Sequence, residues 1–131
     1  MPVSLLGKLP AGLPYTIWQL VEHLRITQKD ILDFSRDDGK YKSMNWPAEY
    51  WPDELAPANE AQWEKSLKEI ETDQQAFISL LKKSGENGLF EKFAHGDGQT
   101  LFREALLIID HNSYHTGQII LVRRLLHDWE S

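Results

Sequence analysis

The chain has 131 residues, no cysteine and five histidines, with 14 Lys plus Arg against 20 Asp plus Glu for a net charge of −6. The lack of cysteine excludes a disulfide scaffold, a cysteine-ligated zinc or iron–sulfur site and a cysteine nucleophile. The acidic balance argues against a binder of nucleic-acid backbone, and no apolar run approaches the roughly 18 residues of a membrane span. The N-terminal MPVSLLGKLPAG has no extended apolar stretch of the signal-peptide kind. The expectation is one soluble, cytoplasmic, acidic domain over residues 1–131, with neither nucleic acid nor membrane as partner.

Three long segments carry helical periodicity. In the first, about Tyr15 to Arg36, the residues Ile17, Leu20, Val21, Leu24, Ile31, Leu32 and Phe34 recur at spacings of three and four, as one buried face requires. Pro14 suits its entry and Asp37-Asp38-Gly39 its stop. The second opens at Asn59, which has capping-box spacing to Gln62. It steps through Trp63, Leu67, Ile70, Gln74, Phe77 and Leu81 before Ser84-Gly85. The third follows Gly96-Asp97-Gly98 and runs from about Gln99 to Asp128. Its stripe is Leu101, Ala105, Ile108, His111, His115, Ile119, Val122 and Leu126. No stretch alternates with period two for long enough to be a strand. Long amphipathic helices of this kind predict an all-α, up-down antiparallel helical bundle.

The connectors differ in character. Residues 37–58 form a long loop holding Tyr41, Trp46, Tyr50 and Trp51. Disordered linkers are poor in aromatics, so this loop is expected to pack down, with Trp46, Tyr50 and Trp51 substantially buried as a lid or as a wall of a ligand pocket. The second connector, ENGLFEKFAHGDG, spaces Leu89, Phe90 and Phe93 for one short helical turn.

The residues with the most chemistry are His111-Asn112-Ser113-Tyr114-His115. Positions i and i+4 share a helical face, so two imidazoles there can converge on one ion. Both lie in the apolar stripe, and a buried histidine must be neutral and hydrogen-bonded or must bind something. From these residues alone, metal binding and hydrogen-bonded core histidines are both open. A metal would need a third ligand. His127 is twelve residues beyond His115, about 18 Å along the helix and about 120° around it, and reads better as a cation at the helix C-terminus. His95 lies a bundle end away. His23 is mid-way along the first helix, at the height of the pair, and is the favoured third ligand.

The stretches WQLVEHLRITQKDILDFSR, EYWP and HGDGQTLFREALLIIDHNSYHTGQIILVRRLL resemble the DinB-like (YfiT-like) superfamily of metal-binding helical bundles. The likeness covers about residues 15–128; its most specific parts are Glu22-His23 and the run from Asp110 to Gln118. It implies a divalent metal on His23, His111 and His115. The family's first helix is here shortened to a turn at Val3–Lys8 or absent, and the apolar groove that this leaves predicts a homodimer.

Three histidines leave a coordination position for water or a small-molecule substrate. Zinc, nickel and iron all suit such ligands. The resemblance implies either a metal-dependent hydrolase or a transferase using a low-molecular-weight thiol. The alternative is a non-catalytic bundle that binds a metal or small ligand and acts as a dimer. Gln118, at i+3 from His115, is the candidate for hydrogen-bond support to a ligand. Glu22 and Asp110 read as solvated helix charges, Tyr114 as packing, and Arg103, Arg123 and Arg124 as surface cations.

Overall fold

A computed structural model describes residues 1–129. It contains four helices, α1 (Val3–Leu6), α2 (Ile17–Ser35), α3 (Glu60–Phe90) and α4 (Leu101–Leu125). Each long helix starts where a side-chain oxygen can accept from an otherwise unpaired backbone N–H. Thr16 and Gln19 form a reciprocal capping box on α2. Asn59 accepts from the Gln62 N–H at 2.9 Å, and Thr100 from the Arg103 N–H at 3.2 Å. Gln62 reaches back to the N–H of Ala58, one residue earlier than a capping box requires.

The helix ends refine the periodicity reading. α3 as a whole reaches Phe90, with Gly85 at φ 65° inside it. That positive φ suits glycine, and with ψ at 176° it is not helical, so the long helical segment stops at Gly85 as expected and a short one follows it. Leu89 and Phe90 lie in that short segment, the separate turn expected for them, while Phe93 lies beyond it. The turn expected at Val3–Lys8 is α1, a single helical turn whose Leu6 is buried. Gly7 follows because a Cβ there would stand 2.4 Å from the Ala56 side chain.

The core has two apolar clusters. One joins Leu6, Ile17, Trp18, Leu20 and Val21 to Val122, with Trp63 and Ile70 packed against it. The other joins Ile31 and Leu32 to Phe77 and Leu101. The register shows that α2 and α3 run in the same direction, with α4 antiparallel to both. The all-α bundle is therefore as expected, but α2 and α3 are not up-down neighbours. The connector between them is a crossover, long enough to retrace the roughly 28 Å of α2. It descends along α2 as a row of contacts. Tyr50 donates its hydroxyl to Asp30 at 2.7 Å, Pro52 accepts from Gln19, and the Leu55 carbonyl accepts from Thr16 at 2.7 Å. No helix among the described residues is long and apolar enough to cross a membrane.

Candidate metal centre

A polar layer separates the two apolar clusters. α2 brings His23 into it, and α4 brings His111 and His115, one turn apart. Their ligand atoms all lie within 4.8 Å of one another. His23 Nε2 and His111 Nε2 are 3.1 Å apart. His23 is 2% exposed and His115 7%. The structure thus brings together the three histidines that the sequence placed at one height.

Hydrogen bonds set the tautomers. His23 Nδ1 lies 2.8 Å from the carbonyl oxygen of Tyr50. A carbonyl only accepts, so Nδ1 carries the proton and Nε2 presents a lone pair. His115 Nδ1 donates to Gln118 Oε1 at 2.6 Å. The Gln118 amide is oriented in turn by donation to the Tyr15 hydroxyl at 3.0 Å and to that of Tyr114 at 3.4 Å. His115 Nε2 is thereby also left as the lone-pair nitrogen.

All three imidazoles are held neutral. Burial pushes His111 down to about 4, helped by His115 and His23. Burial likewise lowers His23, against the opposing pull of the Tyr50 carbonyl, with His115 adding to the lowering. It lowers His115 too, with Gln118 opposing. Desolvation disfavours the charged form of a histidine, and adjacent imidazolium charges repel.

The crossover walls the site. The Trp51 indole stacks on His23, with centroids 3.9 Å apart and planes 5° from parallel. Trp46 stands 6.3 Å from the same ring and 5.3 Å from Tyr50. The expected burial of the aromatics holds in part. Tyr50 and Trp51 are half-buried, but Trp46 is 69% exposed. Trp46 sits at the rim, between two points where the crossover is held to α2: the Tyr41 ring edge-on to Phe34 and the Tyr50 hydroxyl on Asp30.

Other expectations resolve as follows. Glu22 is buried, not solvated, and accepts two hydrogen bonds from Arg25 at 2.8 and 2.9 Å. Burial raises its carboxyl, but Arg25, Ser66 and Lys65 together outweigh this and the net shift is downward. Asp110 is exposed. Tyr114 points outward yet keeps its ring 5.0 Å from His115. His95 pairs with Asp37 at 2.8 Å, and neither it nor His127 joins the cluster. Arg103 pairs with Glu104, and Arg123 pairs with Asp128 while stacking over Trp129. Sequence reasoning missed two contributors, the Tyr50 carbonyl and the Tyr15 hydroxyl. A cleft of about 630 Å³ lies between α2 and residues 38–44, and none of the three histidines lines it.

The family model described as the DinB superfamily matches residues 1–119. No curated protein and no solved structure matches the chain. The chain belongs to the DinB superfamily.

Proposed function

We propose that this member of the DinB superfamily is a metal-dependent enzyme in which His23, His111 and His115 hold one divalent ion. The observation that carries the reading is the convergence of their ring nitrogens, with the Nδ1–H groups of His23 and His115 tied back to the protein. Nitrogens bound at 2.0–2.1 Å to a tetrahedral ion stand about 3.3 Å apart. The two Nε2 atoms of His23 and His111 are already 3.1 Å apart. Among the described residues and without an ion, His23 Nε2 can accept only from His111 Nε2–H, and His115 Nε2 has no hydrogen-bond partner. Zinc, nickel and iron are among the ions that neutral imidazoles suit.

Such an ion supplies Lewis-acid polarisation at a coordination position left open for water or substrate. The chain's own residues supply the rest. The Tyr50 carbonyl and Gln118 fix the two ring orientations, Trp51 closes one face of His23, and Trp46 and Tyr50 give the mouth an aromatic rim. That rim suits a small molecule with a flat or apolar portion. The reaction class is hydrolysis or thiol transfer. The chain has no cysteine, so a thiol reaction would draw on a low-molecular-weight thiol cosubstrate.

Elemental analysis of the purified protein tests the metal, and an ester, amide and electrophile screen with and without chelator and added thiol tests the chemistry. The expected result is about one ion per chain, lost in H111A/H115A and retained in H127A. Chelator-sensitive turnover without thiol assigns the hydrolase, and turnover only with thiol the transferase. Undiminished metal in H111A/H115A overturns the site; turnover that survives both chelator and H111A/H115A overturns the metal-dependent reading.

A further inference from the structure

We propose that the outer face of α4 is the contact surface of a two-fold dimer of this chain, with two copies of α4 crossing antiparallel at Gly117. α4 is apolar on more than its core side. Phe102, Leu106, Ile109, Tyr114, Leu121 and Leu125 are between 42 and 66% exposed and run along about 35 Å of the helix. Half-exposed side chains of this size offer on the order of 500 Å² of apolar surface. That is the greater part of the roughly 800 Å² per partner that a standard interface buries, and patches of this extent mark interaction surfaces.

Gly117 indicates where the copies meet. It lies inside α4, is exposed, and a Cβ built on it meets nothing within 4 Å. Its φ is not positive. Its own chain therefore gives no reason for a glycine where alanine would make a stronger helix. A second backbone approaching closely does give one.

Charge fixes the direction. Asp110 and Arg124 lie seven residues either side of Gly117, within about 20° of the same line on the helix. Both are exposed, and neither makes an ion pair among the described residues. A two-fold axis at Gly117 sets Asp110 level with Arg124 of the second copy, and does so twice, as an isologous contact must. It also sets Tyr114 beside Leu121 of the second copy. A parallel arrangement would instead put Asp110 against Asp110 and Arg124 against Arg124.

Light scattering and sedimentation over a concentration series test this on the full chain, with circular dichroism to confirm folding of each variant. The wild type should reach twice the 15.2 kDa of one chain at micromolar concentration. D110R and R124D should each raise the dissociation constant at least tenfold, and D110R/R124D should restore it. G117A should weaken the dimer while leaving the helical signal intact or higher. A wild type that stays at one chain's mass to the highest concentration overturns the proposal. So does a dimer that D110R, R124D and G117A all leave intact, because the contact then lies elsewhere.

Discussion

Gln118 is where a single side chain has the most leverage on the metal centre. Its Oε1 accepts from His115 Nδ1 while its Nε2 donates to Tyr15, so the amide cannot flip without losing both bonds. Removing such support from a ligating histidine costs about 10–100-fold in metal affinity. Q118L should show that loss in competition titration against a chromophoric chelator. Q118E keeps an acceptor for Nδ1–H and should bind more tightly than Q118L. Equal affinities for Q118L and the wild type would remove Gln118 from the site. Tyr15→Phe tests the next bond outward and should produce a smaller loss of the same sign.

The crossover is held to α2 largely through tyrosine and backbone groups, which makes its attachment sensitive to alkali. Burial raises the Tyr41 hydroxyl to about 12, with the nearby Asp30 charge adding to the effect. Burial and the hydrogen bond to Asp30 raise Tyr50 as well. A hydroxyl whose folded pKa lies above its unfolded value favours the folded state in its neutral form. The stability it lends is fully present below the unfolded value of 10.0 and is lost as pH rises towards about 12. Urea melts should therefore show wild-type stability constant just below that window and falling through it. Y41F/Y50F should start lower, by about 1–2 kcal/mol for the lost Asp30 bond, and fall less steeply. Parallel slopes for the two proteins would show that neither hydroxyl is linked to folding. This attachment also marks the limit of what the sequence disclosed. Apolar stripes placed α2, α3 and α4 to within a few residues, because period 3.6 follows directly from which face is buried. His23, His111 and His115 were legible because they interrupt two of those stripes at matching heights. The direction of α3 was not, since a stripe reads the same way up or down and only the crossover's path decides. Nor was the Tyr50 carbonyl, because every residue carries one and nothing in residue identity says which will meet His23. Trp46 was misplaced for a related reason: aromatic content predicts that a loop packs, but not which ring takes the rim.

At the scale of the whole molecule, the core is apolar at both ends and polar in the middle. Leu6, Ile17, Leu20 and Val122 pack at one end and Leu32, Phe77 and Leu101 at the other. Between them lie His23, His115, Gln28 and Ser66, all buried. Gln28 donates to the Ile70 carbonyl at 2.7 Å and accepts from Asn112, so it ties α2 to both neighbours. The histidines join α2 to α4 in the same layer but leave lone-pair nitrogens facing one another. An ion bound there would cross-link the two helices in the folded state alone, and such an ion stabilises by mass action, about 2.7 kcal/mol at a concentration 100 times its dissociation constant. For a domain of this size that corresponds to a rise of roughly 10 °C in melting temperature. Thermal melts of chelator-stripped protein with and without added Zn²⁺ or Ni²⁺ should show it. The shift should grow with the logarithm of metal concentration and vanish in H23A. H127A should keep it, because His127 lies beyond the end of α4 and outside the cluster. An H23A protein that still gains the full shift would mean that the ion stabilises some other part of the molecule, and the polar layer would then owe its cohesion to Gln28 and the imidazole hydrogen bonds alone.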